Sequence, residues 1–130
     1  MRTAVDRSGQ PERAFQAAVI ELAQRLGWRV AHFRATRTVD RQGRHRWQTP
    51  VDGDGAGFPD LVLARAGRIL FVELKTDRGR LSPAQAEWRD VLELAAWEAP
   101  GVVRVRVWRP RDWPEIELEL ARPRPSRDRG

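Results

Sequence analysis

Gly57-Phe58-Pro59-Asp60-Leu61-Val62-Leu63-Ala64-Arg65-Ala66-Gly67-Arg68-Ile69-Leu70-Phe71-Val72-Glu73-Leu74-Lys75 is the stretch that decides the fold. It holds two β-type runs, 60–64 and 68–75, joined by a short turn with Gly67 where a positive φ is needed. With Ala66 and Gly67 as the turn residues, Arg65 pairs with Arg68 and Asp60 falls opposite Glu73. Directly opposed strand residues share a face, with Cβ atoms about 5 Å apart. Lys75 shares that face by the period-two alternation of a strand, and Leu74 points the other way, towards a core. Two carboxylates and one amine therefore meet at the end of a hairpin.

Carboxylates that close repel each other unless a cation lies between them or one keeps a proton. Hard divalent ions take carboxylate oxygens and water, and acidify that water. An ammonium beside them can place the water and offset phosphate charge. That is the chemistry of metal-assisted phosphodiester hydrolysis. An Asp and a Glu–Lys pair also occur by chance on surface hairpins. The basic residues separate these readings: of 24, only Lys75 is a lysine. Arginine is a poor substitute there, being bulky, planar and permanently charged.

The chain has 130 residues, enough for one domain with one modest core. Its net charge of +6 favours a polyanionic partner. It has no cysteine, which excludes disulfides and thiolate metal sites. His32 and His45 have no spacing that suggests zinc. No apolar run reaches the roughly 18–20 residues of a membrane helix. No secretory core opens the chain. A cytoplasmic protein with no membrane partner is expected.

Upstream, residues 1–9 are polar and expected to be loose. Ser8 or Gln10 with Pro11 opens a helix that Gly27 closes. Phe15, Ala18, Val19, Leu22 and Leu26 form its apolar stripe. Glu12 lies in its first turn, where the helix dipole favours an acid; alternatively it faces the hairpin and supports a metal. Residues 28–35 predict a strand. Residues 36–57 lack periodicity and predict a long loop, a feature that tends to be functional or disordered. Residues 29–46 hold six arginines against the single acid Asp40. Arg34, Arg37, Arg41, Arg44 and Arg46 beside Trp47 suit phosphate contact and base stacking. A solvated loop whose charge only aids solubility is the other reading.

Downstream, 76–80 is a basic turn with Arg78 and Arg80 placed to meet nucleic acid. Ser82, Pro83 and Gln85 spell a capping box at the start of a second helix, with Trp88, Val91, Leu92 and Ala95 as its buried stripe. Capping alone explains Gln85, so any role in the site competes with it. Val103, Val105 and Val107 alternate with Arg104 and Arg106 as a strand. Residues 112–120 read as a capped helix with Trp113, Ile116 and Leu120 on one side, although Ile116, Leu118 and Leu120 also alternate like a strand. A disordered basic tail is expected over 122–130.

Helix, strand, hairpin, helix, strand predicts an α/β fold with a central mixed sheet. At this point the chain resembles the VRR-NUC family of virus-type replication-repair nucleases, within the PD-(D/E)xK restriction-endonuclease-like superfamily. The resemblance rests on Glu12-x-x-Phe15-Gln16, Leu26-Gly27-Trp28, Gly57-Phe58-Pro59-Asp60, Phe71-Val72-Glu73-Leu74-Lys75 and Gly79-Arg80-Leu81-Ser82-Pro83-Ala84-Gln85. It implies that Asp60, Glu73 and the Leu74 backbone carbonyl bind Mg²⁺ or Mn²⁺, and that Lys75 positions the water. It implies a supporting place at the metal for Glu12, directly or through water, and an organising one for Gln85. It also implies a likeness to Holliday-junction resolvases and a homodimer. A single nuclease domain is expected over 10–121.

The function expected is a metal-dependent DNA endonuclease, selective for branched or flapped DNA in replication, recombination or repair, and of phage or phage-like origin. The alternative is a DNA-binding accessory subunit that does not cut, which has no need of an intact Asp60, Glu73 and Lys75 set. A sequence-specific restriction enzyme would need more chain for reading bases.

Overall fold

A computed structural model describes residues 10–33, 36–39, 41–48 and 51–123, and of 10, 11, 36–38 and 46–48 the backbone only. Among the described residues, three α-helices and six strands follow in the order α1 (Gln10–Arg25), β1 (Arg29–His32), β2 (Thr36–Val39), β3 (His45–Gln48), β4 (Leu61–Arg65), β5 (Arg68–Leu74), α2 (Pro83–Glu98), β6 (Val103–Trp108) and, after a 3-10 turn at Pro110–Asp112, α3 (Trp113–Ala121). The main sheet has the order β1-β4-β5-β6. Its first three strands are antiparallel, and β6 runs parallel to β5 through the α2 crossover.

The hairpin takes the expected register, with Arg65 opposite Arg68 and Leu61 opposite Val72. Ala66 and Gly67 both have positive φ, 51° and 82°. That pair gives the twist a two-residue hairpin needs, and it fixes which side chains share a face. Leu61, Leu63, Leu70, Val72 and Leu74 form one buried face, packed with Phe15, Val19 and Ala23 of α1 and Ile116 and Leu120 of α3. The other face carries Phe71, Glu73 and Val105 beneath α2. The sheet is thus clothed on both sides, a restriction-endonuclease-like α/β arrangement.

The turn end of the hairpin is pinned to the helices. Arg65 donates to the carbonyls of Leu26 at 2.8 Å and Leu120 at 3.1 Å, and Arg68 to that of Arg122. Both guanidinium groups lie over the Trp28 ring, 4.6 and 5.2 Å from its centroid, and the Trp28 indole donates to Leu120 at 2.9 Å. Helix C-termini leave carbonyls unpaired, and cations there also suit the dipole. Burial and the neighbouring Arg65, Arg104 and Arg122 lower the Arg68 pKa, against the pull of Glu119.

Several expectations are corrected. Residues 36–57 are not structureless: β2 and β3 pair antiparallel, Thr36 opposite Gln48 and Val39 opposite His45, as a separate two-stranded sheet. On α2, Val91 and Ala95 are exposed, and it is Gln85, Trp88, Arg89, Leu92 and Ala96 that turn inwards. On α1, Ala18 is exposed and Ala23 takes the buried place. Residues 113–121 are helical, with Leu118 exposed. The Asp112 carboxylate does not cap that helix; it accepts from the Arg109 N–H at 2.9 Å, closing the preceding 3-10 turn.

Candidate active site

Each side chain of the site is placed by a different element. Gly57 lies on the first turn of α2: a Cβ added there would meet the Ala84 carbonyl carbon at 2.5 Å, and its φ is +83°. Phe58 then enters an aromatic box, edge-on to Phe33, Phe71 and Trp88 at 5.3, 6.2 and 4.9 Å. Trp88 donates from its indole to the Asp54 carbonyl at 2.9 Å, drawing the preceding loop onto the helix. Pro59 is buried. The chain so held delivers Asp60 to the head of β4, where its carbonyl accepts from the Phe33 N–H at 2.8 Å.

Asp60 stands one residue beyond the last hairpin pair, level with Glu73. One of its carboxylate oxygens accepts from the Leu74 N–H at 2.9 Å. Glu73 is 6% exposed, and its Oε2 accepts from the Gln85 side-chain amide at 3.1 Å. Gln85 does this while its other amide atom accepts from the Ser82 N–H at 2.8 Å, and the Ser82 hydroxyl accepts from the Gln85 N–H at 3.1 Å. The capping role and the contact with the site do not compete. They use opposite ends of one amide.

Burial, the Asp60 charge and a hydrogen bond to that carboxyl push Glu73 up to about 9, against the pull of Lys75; Glu12 adds to the rise. Glu12 is half-buried in the first turn of α1. The pair Asp60–Glu73 is thus satisfied by a shared proton or by a cation between the carboxylates. Among the described residues, no three or more His, Cys, Asp or Glu side chains form a group able to hold a metal by themselves. The donors that are present, the two carboxylates of Asp60 and Glu73, are oxygen ligands of the kind that suit a hard ion completing its shell with water. The β5 terminus also presents Lys75, whose N–H donates to the Trp108 carbonyl at 2.9 Å.

A cleft opens beside Glu73, lined by Pro59, Leu81, Gln85, Arg89 and Val107, together with Val105 and Arg106. Arg89 was not among the residues expected here; its position one helical turn after Gln85 is the signal that could have found it. Arg78 and Arg80 are exposed on the turn after Lys75, and Arg41 and Arg44 are exposed between β2 and β3. Arg37 lies opposite Trp47 and Thr38 opposite Arg46 in the small sheet. The side chains of Arg37, Arg46 and Trp47, and all of Arg34, lie outside the described residues.

A mixed sheet between helices, with paired carboxylates and a lysine at the end of its central hairpin, defines the class: a restriction-endonuclease-like nuclease core. The family model of the VRR-NUC domain matches residues 11–106, and the chain belongs to that nuclease family. No curated protein matches the chain. Among the described residues, no helix is long and apolar enough to cross a membrane.

Proposed function

We propose that the protein is a DNA endonuclease dependent on Mg²⁺ or Mn²⁺, with a preference for branched or flapped duplexes met in replication, recombination or repair. The observation that carries this reading is the level placement of Asp60 and Glu73, with Gln85 fixing the buried carboxylate. Asp60, Glu73 and the Leu74 carbonyl would hold the ion, with Glu12 reaching it through a water. A divalent ion bound there supplies Lewis acidity and an acidified water. Lys75 places that water and offsets phosphate charge. Gln85 keeps Glu73 from turning away. Arg41, Arg44, Arg78 and Arg80, with Arg34, Arg37, Arg46 and Trp47, would track the DNA backbone and stack on exposed bases. Symmetric cutting of a four-way junction needs two such sites, and a homodimer supplies them.

The test incubates wild type, Asp60→Asn and Glu73→Gln with labelled duplex, nicked, flap and four-way DNA, with Mg²⁺, Mn²⁺ or excess chelator. Wild type cuts only with metal, and neither variant cuts although both still bind DNA. Undiminished cutting by a variant, or cutting in chelator, defeats the site. Binding without cutting by wild type under every metal condition favours the accessory-subunit reading.

A further inference from the structure

The turn that follows Lys75 is strapped to the end of β6 by side chains that neither capping nor core packing requires. Arg109 donates from one guanidinium nitrogen to the Thr76 carbonyl at 2.7 Å and the Gly79 carbonyl at 2.5 Å, the two ends of the turn. The Gly79 N–H donates back to the Thr76 carbonyl at 3.1 Å. Beside it, the Asp77 carboxylate accepts from the Arg111 N–H at 3.0 Å, and the Arg111 side chain donates to the Asp77 carbonyl at 3.2 Å. A guanidinium can bridge two carbonyls in fixed geometry, which an ammonium cannot do as well.

The lysine stem runs alongside this turn. A Cβ added at Gly79 would lie 3.0 Å from the Thr76 hydroxyl oxygen and 3.4 Å from Lys75 Cδ. The Lys75 backbone is fixed separately, by its bond to the Trp108 carbonyl one residue before Arg109. Strand β6 thus holds the lysine main chain with one residue and the support of its side chain with the next. A half-buried four-carbon stem has many rotamers, and a wall on one side removes a share of them.

We propose that Arg109 is a positioning residue for Lys75, acting through the Thr76–Gly79 turn. Its catalytic consequence rests on Lys75 serving hydrolysis as proposed above; its structural consequence does not. Lys75 is the chain's only lysine, so lysine labelled with ¹³C at Cε and ¹⁵N at Nζ gives one side-chain signal. That signal reports the order of Lys75 in folded protein without metal or DNA.

Arg109→Ala and Arg109→Gln are expected to raise the mobility of the Lys75 Cε signal well below their melting temperatures. Ethylguanidinium added to Arg109→Ala should restore part of its order. Single-turnover cleavage falls at least tenfold while DNA affinity stays within about twofold, and added ethylguanidinium recovers part of the rate. Arg25→Ala, an exposed change on α1, leaves both readouts as in wild type. Gly79→Ala keeps Arg109 but crowds the stem, and it should shift the Lys75 signal without loosening it. That variant tests the support directly if the Arg109 variants do not fold. Folded Arg109 variants with wild-type Lys75 relaxation overturn the proposal, as does a Gly79→Ala signal identical to wild type. A mobilised Lys75 in a protein whose wild type cuts no DNA upholds the strap and defeats the nuclease reading alone.

Discussion

At neutral pH a carboxyl raised to about 9 keeps its proton, so Glu73 has to release it before both carboxylates can hold a cation. Magnesium binding at pH 7 is therefore expected to release close to one proton per chain. Calorimetry in buffers of different ionisation enthalpy reads that number directly, and no release would count against the shared-proton pair. The sign for folding follows from the same shift. Between the ordinary value near 4.5 and about 9, folded protein holds a proton that the unfolded chain has lost. Metal-free stability then declines as pH rises across that window, by on the order of a few kcal/mol. Glu73→Gln should remove this contribution, so that melting temperatures in chelator fall less steeply with pH for the variant than for wild type. Lys75 poses a different test, because Lys75→Arg keeps the charge and changes its shape. A guanidinium carries its charge farther out and prefers bidentate contact with phosphate or Glu73. Misplacing the water by about 1 Å can cost on the order of a hundredfold in rate. Near-complete loss of cleavage is expected; activity within a few-fold of wild type would reduce the lysine to generic charge.

Among the elements, α2 does more than cover the sheet, since its first turn receives Gly57 and presents Gln85 to Glu73. Gly57→Ala brings a methyl within 2.5 Å of the Ala84 carbonyl carbon and forces a positive φ on alanine. Together these cost about 2–4 kcal/mol. Thermal unfolding should drop by on the order of 10 °C; a shift under 2 °C would mean the loop repacks freely. The elements legible in the sequence were those specified locally. The Ala66-Gly67 turn sets the hairpin register, and the Ser82–Gln85 box sets the start of α2. The face of α2 was not legible, because Val91, Leu94 and Trp97 form a second apolar line beside Trp88 and Leu92. Hydropathy cannot choose between two such lines; packing against β6 does. The β2–β3 pair was hidden for a different reason: its strands, Thr-Arg-Thr-Val and His-Arg-Trp-Gln, are four residues long and mostly polar, so they carry no clear hydrophobic alternation. The Gln85 contact with Glu73 joins residues of different elements and leaves no spacing to find.

For the molecule as a whole, charge is unevenly spread. The chain carries +6, yet α2 holds Glu87, Asp90, Glu93 and Glu98 against Arg89 alone. Its outer side also bears Val91, Leu94 and Trp97, the last 84% exposed. Apolar surface of this kind is where a second copy would pair, while the acids around it would repel their counterparts. Salt should consequently act in opposite directions on two equilibria. Dimerisation, followed by sedimentation at micromolar concentration, is expected to tighten with added salt and to weaken in Trp97→Ser. DNA binding is expected to weaken with salt. Changing Arg37, Arg41, Arg44 and Arg46 to Ala should lower the log–log slope by about 0.9 for each phosphate that the variant no longer neutralises. A monomer under all conditions, or an unchanged slope, would remove the corresponding surface from the account.

The single hairpin register has a consequence for how the gene can vary. Because successive β5 side chains alternate between core and site, one codon gained or lost between Ile69 and Val72 exchanges the places of Glu73 and Leu74 relative to the Ala66-Gly67 turn. A two-codon change restores the alternation. Length variants of this strand should therefore obey a parity rule for folding, with odd steps lost unless a bulge absorbs them, while even steps keep the core face but carry Glu73 about 7 Å out of level with Asp60 and so lose the site.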